Sequence, residues 1–276
     1  MRRPRRGWIA ALAVVPLTLL AYLGYVVAGI LFFTGDIVPP VAQPPLPSER
    51  LAPEDARRLG WDPAGIDGVL ARARLLGSDT LMIVTEGETV AALGDLTRPQ
   101  PLHSIRKAIL SALVGLHQGA GPGQIDLSAT LAALGLDDSP QPLTPLQKQA
   151  TVLQLLQSRS GINHAAAAEA GLTAEKNRRL GQVENTPGSV WAYNNWDVNA
   201  LTTLFEARTG LSIAEAFQAG LAEPLGLRDH RAEAVTYRAA PALSQHRAAM
   251  FQMSARDLAR FGALYLARGV LDGKRI

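Results

Sequence analysis

Two short patterns in this chain combine residue types that can break a carbonyl bond. The first is Ser104-Ile105-Arg106-Lys107, a serine with a lysine three residues on, opening an apolar run. The second is Tyr193-Asn194-Asn195, which follows the turn Thr186-Pro187-Gly188. A serine hydroxyl is a weak nucleophile until a neighbouring base takes its proton. Lysine can be that base, because a desolvated ammonium gives up its proton and a guanidinium does not. The chain has 23 arginines and four lysines, so a lysine at 107 is a selective choice of cation. A tyrosine held near such a lysine can relay the proton from serine to a leaving group. Each pattern also has a plainer reading. Ser104 could cap a helix that carries Lys107 into solvent, and Tyr193 could pack in a turn between Trp191 and Trp196, with Asn195 a turn residue.

The elements around these residues favour the chemical reading. Ile105, Ala108, Ile109, Ala112, Leu113 and Leu116 form an apolar stripe at helical spacing, which predicts the buried face of a helix starting at Ser104. Ser104, Lys107 and Ser111 share a different face. The serine stands at the positive end of that helix, where developing negative charge is favoured. Arg106 reads as a flank residue that points elsewhere. The histidines at 103, 117, 164, 230 and 246 have no i,i+4 pair and read as surface or core, so no metal is expected. The absence of cysteine excludes thiolate catalysis and Cys-zinc sites. HExxH, GxxxxGK[ST] and GxSxG are absent, and no cofactor is expected.

The 276 residues carry a formal charge of +3. Residues 1–39 hold Arg2, Arg3, Arg5, Arg6 and Asp36, a net of +3, which leaves 23 basic and 23 acidic side chains in the rest. A neutral body gives no electrostatic reason to bind nucleic acid. The arginines precede Ile9–Phe33, 25 uncharged residues that would span roughly 37 Å as a helix, enough to cross a bilayer. The expected layout is a cytoplasmic basic segment (1–8), a transmembrane anchor (9–33), a Pro-rich linker (34–50) and an exported domain (51–276). A cleaved signal peptide ending near Val26-Val27-Ala28 is the alternative.

Within the domain, spacing predicts a helix at Pro63–Leu76 and a hairpin of Leu81–Thr85 with Thr89–Leu93. Helices are expected to follow at 145–157, 196–209, 212–222 and 254–268, with no further strand. This order is α+β.

The sequence resembles the serine β-lactamase and penicillin-binding-protein superfamily. It is most similar to the class C-like branch that includes esterases and 6-aminohexanoate-oligomer hydrolases. The resemblance rests on Ser104-Ile105-Arg106-Lys107, Leu155-Leu156-Gln157-Ser158-Arg159-Ser160-Gly161, Trp191-Ala192-Tyr193-Asn194-Asn195-Trp196, Glu223-Pro224-Leu225-Gly226-Leu227 and the segment Met253–Gly262. It implies an antiparallel sheet flanked by helices, beside an all-helical lobe, with the site between them. It also implies that Ser104 is the acylated nucleophile, Lys107 its proton acceptor and Tyr193 the acid/base for the leaving group. Asn195 would position a small amide or ester substrate, and the Ser104 N–H would supply half of the oxyanion hole. The family's third motif, K-T-G or H-x-G on a sheet strand, has no match here. The chain is therefore expected to be C-terminally truncated, either a gene fragment or an inactive pseudoenzyme. A penicillin-interacting DD-peptidase or β-lactamase is a further alternative. The resemblance carries no expectation of oligomeric state.

Overall fold

A computed structural model describes residues 46–276 except Ala170, Gln182 and Asp272. The predicted anchor, 9–33, lies outside the described residues. Among those described, no helix is long and apolar enough to cross a membrane.

The described chain starts with strand β1 (Ser48–Arg50) and helices α1 (Pro53–Arg58) and α2 (Pro63–Leu75). Asp62 begins α2 by accepting hydrogen bonds from the Ala64 and Gly65 N–H groups. Strands β2 (Leu81–Thr85) and β3 (Glu88–Leu93) form the predicted hairpin, and β1 pairs with the other edge of β3, giving the antiparallel order β1-β3-β2. A small core of Ile66, Leu70, Ala73, Val90, Ala91 and Leu93 joins this sheet to α1 and α2.

Next come β4 (Gln100–Pro101), a 3₁₀ turn at His103–Ile105 and helix α3 (Arg106–Leu116). Helices α4 (Val152–Leu156), α5 (Thr173–Leu180), α6 (Trp196–Thr209) and α7 (Ile213–Phe217) follow, and α7 continues as a π-helical turn over Gln218–Ala222. The helix predicted at 145–157 is broken. Ala150 leaves the helical region, and Thr151 starts α4 afresh with a capping box to Gln154.

The expectation of no further strand is corrected. β5 (Val235–Ala240) and β6 (Ser244–Met253) form a second hairpin, and β4 pairs with the far end of β6, in the order β4-β6-β5. Helix α8 (Ala255–Leu266) then packs against β2, and β7 (Val270–Leu271) pairs with β8 (Lys274–Arg275). The large core joins α3, α4, α6 and α7 to β5, β6 and α8, with Trp196, Phe205 and Phe217 fully buried. The architecture is α+β.

The predicted face of α3 is also corrected. Its buried residues are Arg106, Ile109, Leu110, Leu113 and Val114, while Ile105 and Leu116 are exposed. The helix is apolar over most of its circumference, so periodicity did not fix its rotation. Packing against α6 does, and that packing takes Arg106 inside.

Candidate active site

Three local devices place Ser104. Strand β4 is pinned to β6 and ends where the Leu102 N–H bonds to the Phe251 carbonyl. His103 then adopts a left-handed backbone, φ 44°, which turns the chain sharply from strand to helix. Ser104 follows on the 3₁₀ turn that leads into α3, and it is exposed.

The loop before α6 places Tyr193. Its Ala192 N–H bonds to the Ser158 carbonyl, and the Gly188 N–H bonds to the Arg159 carbonyl, so the loop runs along residues 158–160. Gly161, at φ +78°, permits this approach. A Cβ there would stand 2.8 Å from the Asn185 carbonyl oxygen.

Two adjacent asparagines divide the work at the start of α6. Asn194 accepts a hydrogen bond from the Asp197 N–H at 2.8 Å and so caps the helix. Asn195, at the formal N-cap position, makes no capping bond. Its Oδ1 accepts from Lys107 Nζ at 2.5 Å, and its Nδ2 donates to the Ala168 carbonyl at 2.5 Å.

Lys107 Nζ also lies 4.4 Å from the centroid of the Tyr193 ring. Burial holds the lysine below its ordinary pKa, the Arg106 charge pushes the same way, and the hydrogen bond with Tyr193 opposes both. Burial would raise the Tyr193 phenol. Hydrogen bonds with the Ser104 and Lys107 side chains, together with the Lys107 and Arg106 charges, outweigh it and hold the phenol below its usual value. The structure thus brings Ser104, Lys107, Tyr193 and Asn195 together, with Lys107 bonded to Asn195 and standing over the Tyr193 ring. Such a group can pass a proton from a serine hydroxyl to a base and onward.

Sequence reasoning missed two residues here. Arg106, read as a flank residue, is only 3% exposed and donates to Asn199 Oδ1 at 3.0 Å. Its place on a helix apolar nearly all round gave no signal of this. Ser158, left-handed at φ 54°, lines a cavity of about 250 Å³ with Lys107, Ser111, Leu156, Tyr193 and Leu201. Among the described residues, no group of three or more His, Asp or Glu side chains could hold a metal ion.

Comparison with known proteins places the chain in a family. Three solved structures share the fold. One is a protein assigned as a 6-aminohexanoate-dimer hydrolase from Bacillus anthracis, 20% identical with a TM-score of 0.53 over 73% of this chain and 58% of that one. A class C β-lactamase is 14% identical with a TM-score of 0.56, over 82% of this chain and 69% of its own. A protein assigned as a β-lactamase from Bacteroides dorei is 16% identical with a TM-score of 0.52, over 78% and 66%. The chain spans about three-fifths to two-thirds of the length of these proteins. No curated protein sequence matches it. The family model for β-lactamase matches residues 77–276, and the chain belongs to that family.

Proposed function

We propose that this protein is a membrane-anchored serine hydrolase that cleaves amide or ester bonds through a Ser104 acyl-enzyme. The observation that carries the proposal is the convergence of Ser104, Lys107 and Tyr193, with Lys107 Nζ 4.4 Å from the Tyr193 ring centroid and bonded to Asn195. Ser104 Oγ attacks the substrate carbonyl carbon, and its proton passes to Lys107, neutral at the moment of attack. The carbonyl electron pair moves to oxygen, where the Ser104 N–H at the start of α3 donates to it. Tyr193, beside both partners, delivers the proton to the leaving nitrogen or oxygen as its bond to carbon breaks. Water then repeats the sequence and releases the acid. Asn195 holds the lysine in place and positions substrate beside it.

The arginines before Ile9 and the uncharged run that follows support an uncleaved single-pass anchor in the cell membrane, with the catalytic domain on the outer side. A fluorophosphonate probe should label the full chain, and Ser104→Ala should abolish the label. Labelling that survives the substitution sinks the assignment. No labelling at any probe concentration would favour a non-catalytic binding protein, and capture of a fluorescent penicillin at Ser104 would move the substrate class to β-lactams.

A further inference from the structure

Hydrogen bonds close a ring between α3, α6 and the loop at 165–168. Lys107 Nζ donates to Asn195 Oδ1 at 2.5 Å, and Asn195 Nδ2 donates to the Ala168 carbonyl at 2.5 Å. One residue earlier on α3, Arg106 Nη2 donates to Asn199 Oδ1 at 3.0 Å, and Asn199 Nδ2 donates to the Ala167 carbonyl at 3.1 Å. The two rungs are joined covalently at both ends, by the Arg106–Lys107 peptide and by the Ala167–Ala168 peptide. Between them, Asn195 and Asn199 stand four residues apart at the start of α6, neighbours on one side of the helix.

The ring restricts Asn195 in a way that the first rung alone does not. The two ends of an asparagine amide differ, since its oxygen accepts and its nitrogen donates. Asn195 keeps its oxygen on Lys107 while a carbonyl stands at its nitrogen, and that carbonyl belongs to Ala168. Ala168 is left-handed at φ 61°, a conformation that a residue with a side chain holds only where its surroundings impose it. The preceding carbonyl, at Ala167, is held by Asn199, whose nitrogen faces it because its oxygen is taken by Arg106. Arg106 is 3% exposed and Asn199 fully buried, so this second rung is sheltered from competing water.

Building on the serine-hydrolase reading, we infer that Arg106 is a positioning residue: through Asn199 it holds the Ala167–Ala168 peptide that aims Asn195 at Lys107. Its effect on the proton acceptor passes through the loop and Asn195. A merely structural role, as a buried space-filler, would not pass through Asn195.

The test is inactivation of the full chain by a fluorophosphonate, resolved into apparent affinity and limiting rate. Elastase, which cuts after small residues, gives a second readout on the run Ala165–Ala168, where Ala166 and Ala167 are buried. Arg106→Met fills similar space without a donor. Asn199→Asp still accepts from Arg106 but cannot donate to Ala167. Each should slow the limiting rate by about 10–10²-fold with affinity unchanged. Each should also open the alanine run to elastase, at least tenfold faster than in wild type, while the chain stays folded by circular dichroism. In an Asn195→Ala background, which has already lost the first rung, neither substitution should slow the rate further. A full additional loss in that background overturns the inference. So does an alanine run that stays as resistant as in wild type; if Arg106→Met fails to fold, Asn199→Asp decides both arms. A wild type that takes no probe, with the alanine run opened in the variants, would sink the hydrolase reading and leave the clamp on the loop standing.

Discussion

Helix α6 carries buried polar groups of opposite character on two of its faces. On one, Arg106 and Lys107 meet neutral partners, Asn199 and Asn195, and make no ion pair among the described residues. On the other, Asp138 is saturated. It accepts from His164 Nδ1 at 3.0 Å, Trp196 Nε1 at 2.6 Å, Ser244 Oγ at 2.8 Å, and the Ser139 and Gln245 N–H groups at 2.8 and 3.1 Å. His164 and His246 stand edge-on to Trp196, with centroids 5.6 and 5.4 Å away. Burial would raise the Asp138 pKa, but its donors reverse that and hold it low. Burial lowers the Lys107 pKa, and the Tyr193 bond that opposes it does not win. Donors thus fix one charge against burial, while burial loosens the other. Saturation makes a structural joint between α6 and the second hairpin, and incomplete neutralisation makes a group ready to exchange a proton.

The contrast breaks if the two faces respond alike to substitution. The largest expected effects are on the cationic face. Lys107→Met and Tyr193→Phe should each slow probe labelling by about 10²–10⁴-fold. Lys107→Met should leave the melting temperature unchanged or raised, because it removes a buried charge whose partner is neutral. A loss of stability that matched the loss of labelling would show the lysine to be structural. On the other face, Asp138→Ala should cost about 3–5 kcal/mol in urea unfolding, because it strands the Trp196 and Ser244 donors in the core. A cost below about 1 kcal/mol would mean that water satisfies those donors as well as the carboxylate does.

The two faces also differed in how far the sequence revealed them. Ser104, Lys107, Tyr193 and Asn195 were picked out because S-x-x-K and Y-x-N set residue types at fixed spacing, and the fold brings them together. Trp196–Thr209 was legible as a helix because Gly210 closes it in the left-handed conformation at φ 72°. The Asp138 cluster was not legible, since its members come from four separated segments and none carries a spacing rule. The second hairpin hid for a related reason. Its inward positions on β6 include Ser244, His246 and Ala248, so the alternation of burial has no matching alternation of hydrophobicity. Helix α5 buries only Lys176 and Leu180 of its eight residues and shows no apolar stripe. Arg106 was misread because α3 is turned by packing against α6, whose Asn199 lies 93 residues away.

The next effect is a pH profile. Under the proposed mechanism the neutral amine of Lys107 accepts the Ser104 proton, so labelling should rise with pH. Its midpoint should lie below the ordinary lysine value of 10.5, because burial and the Arg106 charge both favour the neutral form. A midpoint at or above that value would place the lysine in solvent in the working enzyme.

A further effect separates two buried carboxylates near the start of the same helix. Asp197 is fully buried like Asp138, but its Oδ1 accepts from Ser160 Oγ at 2.6 Å and its Oδ2 has no hydrogen-bond partner among the described residues. Burial therefore prevails and pushes the carboxyl up to about 7, against the pull of Ser160, Asn194 and the Lys176 charge. A raised carboxyl binds its proton more tightly folded than unfolded. Its contribution to stability is complete below 3.8, the unfolded value, and is lost as pH rises to about 7. Asp138, held low, contributes with the opposite sign and loses its share as pH falls. Asp197→Asn carries no titrating proton, so wild type should lose stability relative to this variant across that window, at no more than about 1.4 kcal/mol per pH unit. Unfolding free energies that run parallel for the two proteins would mean that Asp197 is ionised when folded, stabilised by Lys176 despite its unpartnered Oδ2. The difference between a saturated and a starved carboxylate would then reduce to the charges around them.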